Sequence, residues 1–485
     1  MEKKPTTTKE PETSSSKDPT NLSWFESVKH VTSNRNWTIY LLTVWIYSSM
    51  SVLQQYFTLY FRDIGVTYFM VGVFISLMFA VNVVGSFAAG YLADNFDRRK
   101  LSVITMVVNG ISFFGLAFVD GANLLLITFA MIIAGLSSFT GAAGQAYSMQ
   151  QVDRKFGGVA NSLFTLGTTF GLVPLFVITL MLGVGVGFVE IMRYMLLAAA
   201  VLYWISALIR ATVLESLPVQ TKGQKRDVGI SDFFRENVRG LKLLMRVFPI
   251  FVGIIALDAF SDSFYNFASL YYVNETLDFG IPEINLMQLI TLVFSVPLTL
   301  VLGRVFDKQG GRKLTIAVYS IMPFAVFLLV IAQTVPYIAP IEWLQAADQI
   351  YPGFRVIFSL AFLATAIKRT NDILWFSVLG TYILKSLPRP DLGKMLSLTQ
   401  VIVLAFISFG PIPAGYIYTL WEGLPLLYVV IILNIFILGI LITKSIEPRV
   451  SVEELEREYG PDSEPLASLD SEEKSVTDSG DQKET

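Results

Sequence analysis

The chain has 485 residues, 53% of them hydrophobic and 15% charged, with a formal net charge of −3. Soluble domains carry about 25% charged residues, so this composition excludes a string of soluble domains, a disordered chain and, with acids outnumbering bases, a nucleic-acid binder. There is no cysteine, and the single histidine, His30, lies in a polar tail. That excludes a disulfide scaffold, thiolate metal sites and a histidine triad.

Residues 1–36 read as a disordered cytoplasmic N-terminal tail. Apolar runs of about 20 residues, the length that crosses a ~30 Å hydrocarbon core, then follow. Six lie at 37–61, 69–92, 101–119, 122–149, 160–184 and 189–213. Six more lie at 247–273, 284–306, 314–332, 354–385, 396–417 and 425–443. The reading is an all-α integral membrane protein of twelve transmembrane helices: an N-terminal half, 37–213, and a C-terminal half, 247–443. Between them, 214–246 reads as a cytoplasmic central loop whose part from Ile230 to Arg246 is an amphipathic helix. Residues 444–485 form an acidic cytoplasmic tail, mostly disordered. Its segment 447–485 has 13 acids against four bases, which leaves the rest of the chain cationic.

Cations fix the orientation, because cytoplasmic loops are enriched in Lys and Arg. Arg98, Arg99, Lys100, Arg154, Lys155, Lys308, Arg312, Lys313, Lys385, Arg389 and Lys394 all fall on one side. The opposite loops carry mainly acids, among them Asp120, Glu190, Glu275, Glu342 and Asp348. Both termini are therefore expected in the cytoplasm, with the chain a multi-pass protein of the plasma membrane.

A repeat emerges at the ends of spans two and eight. Gly90-Tyr-Leu-Ala-Asp94-Asn-Phe-Asp-Arg98-Arg99-Lys100 is matched by Gly303-Arg-Val-Phe-Asp307-Lys-Gln-Gly310-Gly311-Arg312-Lys313, 213 residues later. Gly permits close helix approach, and Asp can meet the arginines across a short turn. A need for cytoplasmic cations accounts for Arg and Lys, but not for the matching Gly and Asp.

On these residues the chain resembles the major facilitator superfamily, whose signature between helices two and three is Gly-x-Leu-x-Asp-Arg-x-Gly-Arg-Arg, with a weaker copy between eight and nine. Asn95 and Asp97 depart from it. The resemblance covers 37–443 and implies two six-helix halves that move against each other. It also implies a conformational latch at Gly90, Asp94, Arg98 and Arg99, and more weakly at Gly303, Asp307 and Arg312. Two patterns of the drug/proton antiporters are degraded here: span four lacks an Arg, and Pro174 is displaced from the Gly167–Gly171 pair.

The candidate site rests on charges inside the membrane. Span seven holds Asp258 and Asp262, continued by Tyr265, Asn266 and Ser269; span ten holds Lys368, Arg369 and Asp372, with Asn371 and Trp375 nearby. Residues four apart share a helix face. One ionised group at a helix centre costs about 2.5–3.5 kcal/mol, so these five must pair or line a wet cavity. Three carboxylates against two cations leave one negative charge over. Asp258, Asp262 and Asp372 are therefore candidates for proton coupling. A static ion network is the competing reading, and Lys368 or Arg369 receiving an anionic solute group is a third. Candidate solute contacts are Lys368, Arg369, Asn266, Tyr265, Gln54, Gln55, Gln145 and Trp375.

The function expected is a secondary active transporter of a small organic solute, proton-coupled, leaning to a polar or anionic metabolite. The alternatives are a multidrug/proton antiporter and a non-transporting membrane sensor or scaffold. No enzymatic constellation, ATP-binding loop, metal site or cofactor is expected. The partners would be the solute, protons and the lipid bilayer, with no nucleic acid, and the chain would act as a monomer.

Overall fold

The computed structural model describes residues 24–139, 171–216, 230–294, 312–386 and 392–444, with residue 446 and scattered residues between 144 and 170. The described residues are predominantly helical and contain no strand, only an isolated antiparallel bridge between Tyr337 and Ser359.

In chain order, α1 is Trp24–Thr32, α2 Arg35–Ser48, α3 Phe57–Asp63, α4 Tyr68–Asn95, α5 Arg98–Ala117 and α6 Leu124–Leu136. Next come α7 Leu172–Gly183, α8 Phe188–Thr212, α9 Ile230–Val247 and α10 Pro249–Tyr271. They are followed by α11 Ile281–Phe294, α12 Arg312–Ile331, α13 Ile341–Ile350 and α14 Leu360–Ser386. The last three are α15 Leu392–Phe409, α16 Pro411–Trp421 and α17 Gly423–Thr443. Among the described residues, seven helices are long and apolar enough to cross a membrane. Helix α14, 27 residues long, is outside that group and carries Lys368, Arg369, Asp372 and Lys385.

Local chemistry sets several boundaries. The Asn34 side chain accepts from the Trp37 amide and caps α2. Asp97, where the family signature has Gly, caps α5 by accepting from the Arg99 amide at 2.9 Å. Pro249 opens α10, where its missing N–H costs nothing.

Two expected spans are not continuous. Span one passes from α2 through a 3₁₀ stretch, Ser49–Tyr56, into α3. Runs of 3₁₀ longer than three or four residues are uncommon and often mark a hinge. Span eleven breaks between α15 and α16 at Gly410-Pro411. A Cβ on Gly410 would fall on the Ser263 hydroxyl, and Pro411 cannot continue the preceding helix.

The chain divides into two compact units. One draws on Met1–Phe57, Ala88–Val119 and Leu136–Gln224. The other draws on Thr58–Phe87, Asp120–Gly135 and Lys225–Thr485. In the first, Val31, Trp37 and Leu41 pack on Phe156, Ala160 and Leu163. The second has two cores flanking α10. Leu244, Val247, Phe251, Ile255, Leu398 and Ile402 form one and fasten α9 to the bundle. Ile254, Tyr319, Met322, Trp375, Val378 and Ile437 join α10, α12, α14 and α17 in the other.

Candidate functional site

Helix α10 carries Asp258 and Asp262 four residues apart, and α14 carries Lys368 and Asp372 with the same spacing. The structure brings the two pairs together inside the second unit. Lys368 Nζ donates to Asp262 Oδ1 at 2.8 Å and to Asp372 Oδ1 at 2.5 Å. The lysine side chain is 2% exposed, whereas Asp262 is 29% and Asp372 37% exposed. The ammonium also lies 4.9 Å from the centre of the Tyr265 ring, which closes it off from below. An ammonium in apolar surroundings must be paired. Here it is paired twice, by carboxylates that stay partly open.

Asp258 is held apart from this triad. Trp375 Nε1 donates to its Oδ2 at 2.7 Å, and the Tyr319 hydroxyl lies 2.9 Å from its Oδ1. The same hydroxyl is 2.9 Å from Asn434 Oδ1, which Ser261 Oγ also reaches at 3.2 Å. A tyrosine hydroxyl donates only one proton. For both contacts to be bonds, either Asp258 carries a proton or Asn434 presents its NH2 group to Tyr319. Trp375 and Tyr319 also meet edge to face at 4.7 Å. Asp258, Tyr319, Trp375 and Asn434 thus form a buried polar knot in a seam of four helices.

The other expected solute contacts fall as follows. Tyr265 is buried beneath Lys368, while Asn266 and Arg369 are exposed. Gln54 is exposed and Gln55 half-buried, both within the 3₁₀ stretch of the first unit. Trp375 is buried and committed to Asp258. Gln145, Gly303 and Asp307 lie outside the described residues, as do the side-chain positions of Gly90 and Asp94.

Two buried polar groups escaped the sequence reading as site residues. Asn371, beside Asp372, is 1% exposed, and among the described residues neither its amide oxygen nor its nitrogen has a partner. Arg210, in the first unit, is also 1% exposed. Its Nε donates to Thr43 Oγ1 at 2.9 Å, and its guanidinium lies 4.3 Å over the Tyr40 ring.

The repeated motif acts on helix ends. Arg99 Nε donates to the Arg210 carbonyl at 3.2 Å, and its NH2 group reaches the Ala211 carbonyl, both in the last turn of α8. Arg312 Nε donates to the Leu441 carbonyl at 3.4 Å, and its NH2 group reaches the Ile442 carbonyl in the last turn of α17. Cations there satisfy orphan carbonyls and meet the negative end of the helix dipole.

The opposite end of the second unit holds an aromatic and carboxylate cluster. The π-helical turn Tyr272–Thr276 follows α10 and carries Glu275. The Tyr68 hydroxyl donates to Glu275, 2.8 Å from Oε2, and Tyr418 donates to the same oxygen at 3.1 Å. Arg62 lies 4.3 Å from the centre of the Tyr68 ring. Burial, then the Glu275 charge, raise the nearby Asp63 carboxyl above the ordinary carboxylate range, with Arg62 opposing. Beneath them, α4 and α16 touch backbone to backbone. A Cβ on Gly72 would meet the Pro411 carbonyl, and one on Gly415 would lie 2.5 Å from the Tyr68 carbonyl.

Comparison with known proteins decides the family. The family model described as Major Facilitator Superfamily matches residues 38–367, more than half the chain. The chain belongs to the Major Facilitator Superfamily. It is therefore a multi-pass membrane protein with a transporter fold, in a family of transporters and not of enzymes. No curated protein matches it by sequence. Among solved structures, the nucleoside transporter NupG aligns with a TM-score of 0.63 at 13% identity, over 83% of this chain and 99% of that one. The inward-open xylose transporter XylE from E. coli aligns with a TM-score of 0.60 at 16% identity, over 90% and 99%. A POT family transporter in complex with 5-aminolevulinic acid aligns with a TM-score of 0.61 at 14% identity, over 84% and 96%. At these identities the likeness is one of fold.

Proposed function

We propose that this member of the superfamily is a proton-coupled secondary transporter of a small polar or anionic solute. The halves 37–213 and 247–443 alternate access to a site centred on Lys368, Asp262 and Asp372. The observation that carries this reading is the imbalance of the triad: one buried ammonium bonded to two part-exposed carboxylates. Two carboxylates on one ammonium leave a negative charge that a proton can neutralise. Partial exposure gives that proton a route to water. Protonation of Asp262 or Asp372 frees a donor on Lys368, and the solute's anionic group takes the vacated bond. Proton and solute would then enter together, which is symport.

Arg369, Asn266, Tyr265, Gln54, Gln55 and Gln145 are assigned to the solute path. Trp375, bonded to Asp258, is assigned to holding that carboxylate. Of the three candidate carriers, Asp262 and Asp372 fit best, because Asp258 is locked in a helix seam. We place both termini in the cytoplasm of a plasma membrane, with the chain acting as a monomer. The Arg99 and Arg312 end is then inner and carries the latch, with Asp94 and Asp307 as its acidic members. The Glu275 cluster is the lock of the outer end.

The test is uptake into proteoliposomes of a panel of sugars, organic acids, amino acids and lipophilic cations, with and without an imposed pH gradient. Uptake of an acid or polar metabolite, raised by an inward proton gradient and lost in Lys368→Met, supports the reading. Expulsion of lipophilic cations, or uptake indifferent to the gradient, overturns it.

A further inference from the structure

The segment between α12 and α14 is folded, and its helix α13 has an apolar strip that the described residues leave mostly exposed. Its base is pinned at the membrane boundary. Helix α12 has 20 residues, about 30 Å at a 1.5 Å rise, which matches the hydrocarbon thickness. Just beyond it, the Ile338 amide donates to the Phe358 carbonyl at 2.9 Å, and the Leu360 amide donates to the Pro336 carbonyl at 3.0 Å. This bridge ties the start of the segment to the first residue of α14. The Arg355 amide donates to Asp348 Oδ1 at 3.2 Å, which fastens the far end of α13 to the same base.

Helix α13 has three sectors. Ala347 is buried and Leu344 half-buried, so this side meets the protein. Glu342, Gln345 and Gln349 are exposed and polar, and share the opposite side, with exposed Ile341 at its edge. Between them stand Trp343 and Ile350, seven residues apart and thus nearly aligned. They are 61% and 78% exposed; among the ring contacts of the described residues, Trp343 touches only the Phe358 ring, centroids 6.1 Å apart. Helix α12 likewise exposes apolar side chains, Phe324 at 53% and Phe327 at 50%. The helix carries two acids and no base, so it has no charge attraction to anionic headgroups. Whatever covers the strip must be apolar.

We propose that α13 is an interfacial helix that lies on the bilayer surface. Trp343 and Ile350 dip below the headgroups beside α12, and Glu342, Gln345 and Gln349 face water. A short amphipathic helix with Trp at the boundary suits this position. Because the contact is apolar, it is indifferent to salt and to the fraction of anionic lipid.

The natural absence of cysteine allows a direct test. The single variants Glu342→Cys, Trp343→Cys, Gln349→Cys and Ile350→Cys are spin-labelled in phosphatidylcholine vesicles, with Phe327→Cys as the lipid-facing reference. Collision with oxygen and with a water-soluble nickel chelate is measured at each site. The expected result is high oxygen and low chelate accessibility at 343 and 350, approaching position 327, and the reverse at 342 and 349. The pattern should persist when phosphatidylglycerol is added. High chelate accessibility at all four sites would overturn the proposal by placing the helix in water. Low accessibility to both reagents at 343 and 350 would also overturn it, by showing that protein, such as a second copy, covers the strip.

Discussion

Arg99 and Arg312 stand 213 positions apart and do the same work: each donates to carbonyls in the last turn of a long apolar helix, α8 for Arg99 and α17 for Arg312. The duplication visible in the motif is therefore a duplication of contacts. A cation at a helix C-terminus contributes about 0.3–1 kcal/mol through the dipole. Hydrogen bonds to a charged group contribute about 1.5–3 kcal/mol. Arg99→Ala and Arg312→Ala should each lower stability by about 1–2 kcal/mol, since both guanidinium groups are partly solvated. Thermal unfolding in detergent should show the two losses adding in the double variant. Loss from one substitution alone would mean that the second copy is vestigial.

Lys368 joins α10 to α14, so its removal should hurt in two ways. Breaking a fully buried ion pair costs about 3–5 kcal/mol. Here Asp262 and Asp372 are 29% and 37% exposed and can rehydrate, so Lys368→Met should cost less than that. Transport should vanish. The double variant Lys368→Met/Asp262→Asn should recover stability but not transport, as read by thermal unfolding and uptake together.

Asp258 should behave differently from its neighbours. Removing one partner of a buried polar group costs about 1–3 kcal/mol. Tyr319→Phe takes away the Asp258 Oδ1 partner and leaves Asn434 Oδ1 with Ser261, and should lower the unfolding temperature while leaving the pH profile of transport in place. A shifted pH profile would return Asp258 to the list of carriers.

The outer lock rests on backbone contact as well as on Glu275. Gly72→Ala and Gly415→Ala each push a methyl group against a carbonyl that cannot move cheaply. Glu275→Gln weakens the acceptor shared by Tyr68 and Tyr418. All three should raise alkylation of a cysteine placed at Tyr271, measured by mass shift with a membrane-impermeant maleimide. Unchanged labelling would contradict the assignment of the lock.

Much of the fold was legible because apolar length is a one-dimensional signal. The run at 314–332 became Arg312–Ile331 and the run at 425–443 became Gly423–Thr443. Spacing of four also put Lys368 and Asp372 on one face, and cost required them to find partners. What stayed hidden depends on register between helices. Nothing in span one marks Ser49–Tyr56 as 3₁₀, since its composition suits a continuous helix. Trp375 looked like a solute contact because its type suits stacking, and only packing shows that its N–H is taken by Asp258. Arg210 drew no attention in the sequence because a charge near a helix end usually meets water, yet it is buried. Helix α13 is too short and too polar on one side to register as an apolar run.

The most direct test of the central claim is proton movement during solute uptake, recorded with a pH dye trapped in vesicles that hold wild type, Asp262→Asn or Asp372→Asn. The account predicts solute-dependent acidification in wild type. In at least one variant acidification should vanish while solute still exchanges across the membrane without a gradient. Coupled proton movement preserved in both variants would contradict it, and would make the Lys368 triad a structural ion network.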